Sequence, residues 1–374
     1  MQIGIIGLPT AGKTTVFNAL TRGNIQPASY SSGKFEVHTG VVDVPDERLK
    51  VLSKMFSPRK LTHAKVQYND VAGLAKSTGE RGGFDAAMLN VLSQSDALII
   101  VVRVFADAAV PHPDGSLDPA RDLAAVQTEL LLADLIAVEK RQQRLKEDAG
   151  KRGGSQQEKD ARVREVDLFD RLKARLDAEQ PLRGMELSEE ELRFLRGFGL
   201  LTIKPSMVIY NLGEDQSEAN SPHHDTATTA SGAAAGPGAL DVVHTSLRGK
   251  LEMELAQMSP DDAAEFLNEY GITEPGLNRI VRLSYYLLGL QSFLTAGEDE
   301  VRAWTIRAGA SAVDAAGTIH TDLARGFIRA EVVAYDDLIA AGSLAETRKR
   351  GTLRLEGKTY VVKDGDILNI KFNV

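Results

Sequence analysis

Apolar segments recur along this chain at the spacing of strands that alternate with helices. Strand-like runs lie near residues 1–6, 38–44, 64–69, 97–104, 206–210 and 240–244. Helical patterns or loops separate these runs, and that alternation is typical of a sheet covered by helices. The sequence therefore predicts an α/β fold over most of its length.

Residues 121–178 instead repeat apolar positions at helical spacing. The first run contains Leu131, Leu135, Val138 and Leu145, and the second contains Val166, Phe169, Leu172 and Leu176. A glycine-rich segment at 150–155 interrupts the pattern, which predicts two long antiparallel helices joined by a tight tip. Ser188 and Glu191 have the spacing of a capping box that opens another short helix. We assign this helical hairpin to residues 121–195, as an insertion in the sheet domain.

Short strands are predicted again after about residue 280. They lie around residues 301–306, 328–333, 359–362 and 367–372, with Asp364-Gly365 as a hairpin turn. These strands indicate a small mixed α/β domain over 281–374, which leaves 1–120 and 196–280 for the larger sheet domain. Residues 215–238 are mostly small and polar, so we expect a mobile loop there.

Composition narrows the class of protein further. The chain has 374 residues, of which 43% are hydrophobic, with no cysteine and a formal net charge of −8. No apolar run approaches the roughly 18 residues that a membrane span needs, and Met1 already lies in the first strand, so we expect a cytoplasmic protein without a signal peptide. The missing cysteines exclude disulfides and cysteine-bound metals. The acidic balance argues against nucleic-acid binding over the whole surface but permits a local basic patch.

The most specific motif is a phosphate-binding loop at 7–14, between the strand-like run 1–6 and a helical run at 15–20. In such a loop backbone N–H groups surround the β-phosphate, and the following helix directs its positive end toward it. Lys13 would reach the β- and γ-phosphates, and the hydroxyl of Thr14 would bind Mg²⁺. The residues predicted to surround the nucleotide are Gly7, Pro9, Thr10, Ala11, Gly12, Lys13, Thr14 and Thr15.

A second metal-binding element follows the strand at 64–69. Asp70 would hold Mg²⁺, through a water molecule, and the N–H of Gly73 would sense the γ-phosphate. The next residue is Leu74, where many GTPases carry a glutamine that orients the attacking water. A leucine side chain cannot form hydrogen bonds, so water must be positioned from elsewhere or hydrolysis must be slow.

The element that reads the base is predicted at 211–214, after a late strand. Guanine-specific proteins have Asn-Lys-x-Asp here, and the aspartate accepts from guanine N1 and N2. In this chain Asn211 is followed by Leu212 and Glu214. The longer glutamate does not place its carboxylate at the same point, and a misfit at two buried donors costs a few kcal/mol, about the scale of a lost hydrogen-bond pair. Adenine is therefore the favoured base, and the alternative is a strand end followed by a solvated carboxylate.

With these motifs the chain resembles the YchF or Obg-like ATPases, which belong to the translation-factor class of P-loop proteins. The resemblance extends over essentially the whole length. Its most specific segments are 7–14, 40–49, 70–74, 295–306, 316–322, 326–330 and 363–374. It implies a G domain, an inserted helical hairpin and a C-terminal TGS domain with a β-grasp fold. It also implies ATP preference, a hydrophobic residue in place of the catalytic glutamine, and association with ribosomes.

The resemblance also supplies a catalytic candidate, because the family's proposed histidine matches His112, between Pro111 and Pro113. A neutral imidazole could orient water or accept its proton, although a lone histidine between prolines is also an ordinary loop residue. Lys13, His112 and Leu74 are thus the predicted catalytic positions. Two departures put turnover in question, namely Thr10 where the family has asparagine and Lys34 where it has a switch threonine.

Three functions remain open at this point. The first is a slowly ATP-hydrolysing, monomeric regulator of translation, whose nucleotide state sets its affinity for ribosomes. The others are a ribosomal scaffold with negligible hydrolysis and, disfavoured by Glu214, a GTPase. Residues 139–175 carry 12 Lys or Arg against 8 Asp or Glu. This basic excess, with Lys151 and Arg152 at the tip and Arg348, Lys349 and Arg350 of the TGS domain, predicts contact with ribosomal RNA, and a solvated charged coiled coil is the alternative.

Overall fold

The chain folds into two compact units, which are described separately. The structure is a computed structural model that describes residues 1–25, 37–71, 84–149, 155–216, 242–269, 272 and 274–373. The first unit takes its described residues from 1–40, 68–229 and 241–271, and the second takes them from 41–67 and 272–374. The second unit thus includes a segment from near the start of the chain. The domain boundaries that the sequence suggests remain predictions.

A six-stranded sheet organises the first unit. Its order is β2-β4-β1-β5-β6-β7. The strands are β1 (Gln2–Ile6), β2 (Val37–Asp43), β4 (Lys65–Val71), β5 (Ala97–Arg103), β6 (Ser206–Asn211) and β7 (Val242–Leu247), while β3 (Lys60–Thr62) joins the other sheet. Strand β5 pairs in parallel with β1 and β6, and β6 pairs in parallel with β7. Strands buried on both faces need continuous apolar sequence, which explains the fully buried run in β5. The α/β prediction is confirmed.

The first unit also contains helices in its described ranges. They are α1 (Lys13–Thr21), α3 (Ala86–Gln94), α4 (Pro119–Ala149), α5 (Gln156–Asp177), α6 (Glu189–Leu195), α7 (Gly249–Gln257) and α8 (Pro260–Glu269), while α2 (Glu47–Phe56) lies in the second unit. One apolar core joins α3 and α4 to the central strands through Met88, Leu92, Leu98, Val126 and Leu130. Because β1, β5, β6 and β7 run parallel, their carboxyl ends form one edge of the sheet. Ligands bind at this edge in such sheets.

The long helices α4 and α5 pack around a core of their own. Val138, Leu145, Phe169, Leu172 and Leu176 form this core with neighbouring residues. Val166 was expected in the same stripe but is 39% exposed, because the stripe of α5 is narrower than the sequence spacing indicated. Capping boxes at Ser155 and Ser188 open α5 and α6, the latter as predicted. The predicted tip, 150–154, lies outside the described residues.

The second unit contains a mixed sheet of order β11-β10-β12-β8-β9-β3. Its remaining strands are β8 (Leu290–Ala296), β9 (Glu300–Arg307), β10 (Phe327–Val333), β11 (Arg354–Glu356) and β12 (Ile367–Phe372). Besides α2, its helices are α9 (Gly276–Leu287), α10 (Ala312–Ile319), α11 (Thr321–Arg325), α12 (Tyr335–Ala341) and α13 (Leu344–Arg350). Phe293, Ile306 and Val332 lie in its core.

Two predictions in this unit were wrong in detail. Residues 359–362 form no strand; Val361 makes only an isolated bridge to Ser311. The turn at Asp364-Gly365 therefore does not join a hairpin. It docks on β8 instead, where the N–H of Ser292 donates to Asp364 Oδ1 at 2.9 Å. None of the described helices is long and apolar enough to cross a membrane.

Candidate nucleotide site

The loop between β1 and α1 has the tight backbone of a phosphate-binding loop. Gly12 adopts φ +88°, and a Cβ at this position would collide with the side chain of Asn211. A Cβ at Gly7 would collide with the backbone of β5. Only glycine fits at these two positions. Ala11 is buried, while Pro9 and Thr15 are half-buried.

Lys13 opens α1 and is buried inside this loop. Its ammonium donates to the carbonyl oxygens of Gly7 at 3.1 Å and Leu8 at 2.9 Å. Burial lowers the pKa of Lys13 to about 8, and the charge of Asp70 only partly opposes that effect. The loop therefore holds a cation at a desolvation cost, which a bound phosphate would offset.

Thr14 and Asp70 meet beside this lysine. Thr14 Oγ1 donates to Asp70 Oδ2 at 2.8 Å, and Asp70 is only 2% exposed. Burial raises the pKa of Asp70, against the hydrogen bond from Thr14 and the charge of Lys13. Asp70 Oδ1 is buried and has no hydrogen-bond partner among the described residues. An orphaned carboxylate oxygen beside a hydroxyl is a donor set that Mg²⁺ prefers, so the residues present fit this ion.

Asn211 connects the phosphate-binding loop to the start of α7. Its Nδ2 donates to the carbonyl of Ala11 at 3.0 Å, and its Oδ1 accepts from the N–H of Gly249 at 3.1 Å. A Cβ at Gly249 would approach Asn211 Oδ1 to 2.6 Å. The asparagine at the end of β6 thus braces two loops at the carboxyl edge of the sheet.

Leu212 and Glu214, which replace the lysine and aspartate of guanine-specific proteins, differ in burial. Leu212 is 5% exposed, so its side chain packs in the interior. Glu214 is half-exposed, and its carboxylate pairs with Lys250 at 2.9 Å. Sequence reasoning missed Lys250 and Gly249, because their proximity to Glu214 and Asn211 depends on the pairing of β6 with β7.

Arg103, at the end of β5, was also missed. Its guanidinium donates to Thr10 Oγ1 at 3.2 Å, to the carbonyl of Val110 at 2.7 Å and to the carbonyl of Phe105 at 3.1 Å. Only 4% of the residue is exposed. One buried side chain therefore ties the phosphate-binding loop to the segment that carries His112. Thr10 itself has φ +61°, a backbone conformation that the hydrogen bond to Arg103 helps to hold.

Both ring nitrogens of His112 are engaged. Nε2 lies 2.8 Å from Asp122 Oδ2, and the N–H of Asp114 donates to Nδ1 at 3.1 Å. A backbone N–H can only donate, so Nδ1 carries a lone pair and the proton is on Nε2. The predicted positions Gly73, Leu74 and Lys34 lie outside the described residues.

The phosphate-binding loop after β1, with Lys13, Thr14 and Asp70 around it, defines a P-loop protein of the G-domain class. Two family profiles match the chain: residues 2–141 match "50S ribosome-binding GTPase", and residues 290–373 match "YchF-GTPase_C", described as a protein of unknown function. The chain belongs to the YchF family. The resemblance found in the motifs is confirmed.

Individual relatives match the chain over its full length. A Bacillus subtilis protein named ribosome-binding ATPase YchF is 40% identical over 374 residues, with 100% of both chains covered. The Pasteurella multocida protein of the same name is 41% identical over 373 residues and covers 100% of this chain and 99% of its own. The solved structure of the Schizosaccharomyces pombe YchF GTPase is 31% identical, with a TM-score of 0.82 over 99% of this chain and 97% of its own. These names disagree on the nucleotide, so the base site has to be argued from its residues.

Proposed function

We propose that this protein binds and slowly hydrolyses ATP and, as a cytoplasmic monomer, associates with ribosomes in a manner set by its nucleotide. The observation that carries the proposal is the buried cluster of Lys13, Thr14 and Asp70 at the phosphate-binding loop. Bound Mg²⁺ would be held by Thr14 and Asp70 and would neutralise charge on the phosphate oxygens. Lys13 would stabilise the charge that develops at the γ-phosphate. The ribosome enters from the names of the relatives.

The choice of ATP rests on Glu214. Its carboxylate is longer than the aspartate that reads guanine, and Lys250 already occupies one of its oxygens. Adenine presents one amino group on its pairing edge, whereas guanine presents two neighbouring donors. A carboxylate that is partly neutralised by an ammonium suits the single donor better. We assign Gly73 to the γ-phosphate and Leu74 to the position of the missing glutamine.

A second candidate function is a nucleotide-binding scaffold with negligible hydrolysis. The observation in its favour is His112, because both of its ring nitrogens already have hydrogen-bond partners as the chain is folded. Turnover through His112 requires one of these bonds to open. A scaffold function requires neither bond to open. Nucleotide binding alone would then set the conformation of the switch segments.

Single-turnover hydrolysis with ATP and GTP, with and without purified ribosomes, separates these functions. We expect ATP to be hydrolysed faster than GTP, and ribosomes to change the rate. Nucleotide binding without hydrolysis above a protein-free blank, in both conditions, supports the scaffold. Faster turnover of GTP identifies a GTPase and removes Glu214 as the base selector.

A further inference from the structure

Outside the phosphate site, the buried carboxylate of Asp122 is hydrogen-bonded to His112. Asp122 lies in the first turn of α4 and is 3% exposed. Its Oδ1 accepts two hydrogen bonds from the guanidinium of Arg121, at 3.0 Å and 2.8 Å. Its Oδ2 is left for His112 Nε2 at 2.8 Å. Arg121 and its charge fix the carboxylate, and the carboxylate in turn fixes the imidazole.

The segment that carries His112 is tied to the phosphate-binding loop through Arg103. Arg103 donates to Thr10 of that loop and to the carbonyl of Val110, two residues before His112. A single guanidinium thus spans the gap between the two segments. Asp122 of α4 thus holds the histidine itself, and Arg103 holds the segment just before it to the loop that would receive the phosphates.

We propose that Asp122 is the positioning residue for His112 in hydrolysis, an inference that rests on the proposed ATPase function. By accepting from Nε2–H, Asp122 selects the tautomer in which Nδ1 is the basic nitrogen. Nδ1 takes a proton from the attacking water as the water oxygen bonds to the γ-phosphorus. The bond between that phosphorus and the bridging oxygen breaks, and ADP leaves with the electron pair. The resulting imidazolium is stabilised by the Asp122 carboxylate until its proton passes to solvent.

The two bonds of the histidine differ in the way this role requires. The bond to Asp122 is 2.8 Å long, and both of its side chains are largely buried. The bond from the Asp114 N–H to Nδ1 is longer, at 3.1 Å, and lies at the surface, where water can replace the imidazole. Breaking the hydrogen bond to the basic nitrogen, Nδ1, therefore costs less free energy than breaking the bond from Nε2.

The test compares Asp122→Asn with the matched variant Asp118→Asn. Asp118 is a neighbouring carboxylate that accepts from the N–H of Arg121. Asp122→Asn keeps the size of the side chain but removes its charge. We expect kcat for ATP to fall by about 10²-fold or more, with KM and ADP affinity unchanged, because general-base catalysis contributes roughly that much. Asp118→Asn should leave kcat near the wild-type value.

Two further measurements distinguish a failure of the Asp122 proposal from a failure of the proposed ATPase function. Nitrogen NMR of the ring, assigned with His112→Ala, reads the tautomer without any turnover; we expect the Nε2–H form in the wild type and its loss in Asp122→Asn. In the His112→Ala background, Asp122→Asn should lower kcat no further. A wild-type ring protonated at Nδ1, an Asp122→Asn variant as fast as or faster than the wild type, or His112→Ala at the wild-type rate would each overturn the proposal. Absent hydrolysis by the wild type defeats the ATPase function, and the positioning role with it, even if the NMR tautomer is the expected one.

Discussion

At the scale of single residues, the buried ammonium of Lys13 makes nucleotide binding depend on pH. Its pKa is lowered to about 8 by burial in the free protein. Below that pH the lysine is already charged; above it the lysine is neutral and a bound phosphate favours recharging. Binding of ADP should therefore take up close to one proton at about pH 9 and almost none at about pH 6.5. Calorimetry in buffers of different ionisation enthalpy measures this uptake.

Lys13→Arg is the matched control, since a guanidinium stays charged throughout this range and should show no uptake. Equal uptake by the arginine variant would assign the proton to another group. Lys13→Ala should weaken triphosphate binding and abolish turnover.

The same lysine affects folding: between about pH 8 and 10.5 the folded protein loses the proton while the unfolded chain keeps it, so the cost of burying the charge diminishes as pH rises.

The pair of Glu214 and Lys250 gives a prediction on nucleotide choice. We expect ADP to bind more tightly than GDP in the wild type, and Glu214→Asp alone not to reverse this order, because Leu212 remains where guanine sites have lysine. Lys250→Ala should narrow the difference, since it frees both carboxylate oxygens for guanine N1 and N2. Titration with labelled ADP and GDP measures both affinities.

The control for that titration is Lys54→Ala, an exposed lysine near the end of α2 and outside the first unit. It removes the same charge and should leave the ratio of ADP to GDP affinity unchanged. Equal affinities in the wild type, or tighter GDP, would contradict the assignment of Glu214. An unchanged ratio in Lys250→Ala would remove Lys250 from the base site.

At the scale of elements, a buried carboxylate anchors α4 to the chain that returns to the sheet. Asp134 is 2% exposed and accepts from the N–H groups of Leu201 and Thr202, each at 2.7 Å, and from the Thr202 hydroxyl. Asp134→Ala leaves three donors without this acceptor. We expect the free energy of unfolding to fall by about 3 kcal/mol, measured by urea denaturation.

Asp170→Ala provides the comparison, because among the described residues Asp170 accepts only from Gln142, at the surface of α5. It should change the free energy of unfolding by less than about 0.5 kcal/mol. A loss in Asp134→Ala no larger than that value would show that water satisfies the freed donors. The helical insertion would then depend on its apolar core alone.

The sequence predicts elements best where one signal dominates. Strand β5 is apolar up to its last residue, Arg103, and was predicted within one residue, whereas the segment 359–362 has strand-forming residues but pairs only through an isolated bridge. Local motifs likewise located Lys13, Thr14 and Asp70. The contact of Arg103 with Thr10 and those of Asp134 could not be predicted, because they join residues 93 and 67–68 positions apart whose proximity only the fold creates. His112 and Asp122 are closer in sequence, but nothing local marks them as partners.

At the scale of the whole molecule, exposed positive charge is distributed unevenly between the two candidate RNA surfaces. Five exposed side chains of α4 and α5 make no ion pair among the described residues: Lys140, Arg144, Lys146, Lys159 and Arg164. In α13, by contrast, Arg348 pairs with Glu331, and Lys349 and Arg350 pair with Glu346. Paired cations attract phosphates less, so we expect the predicted contact with ribosomal RNA on the helical insertion and only secondarily on α13.

The two surfaces can be compared by removing two charges from each. Lys140→Ala/Arg144→Ala lies on one face of α4, since four residues separate the positions, and Lys349→Ala/Arg350→Ala is the matched variant in α13. Each phosphate contact releases counterions, so co-sedimentation with ribosomes should weaken steeply as salt rises. The α4 variant should bind more weakly and lose about one unit of salt slope per lost contact, whereas the α13 variant should stay close to the wild type.

Lys151→Ala/Arg152→Ala tests the predicted tip in the same series. If the α4 and tip variants pellet like the wild type at every salt concentration, the insertion is a solvated coiled coil and the contact lies elsewhere; a larger loss in the α13 variant assigns it to the second unit.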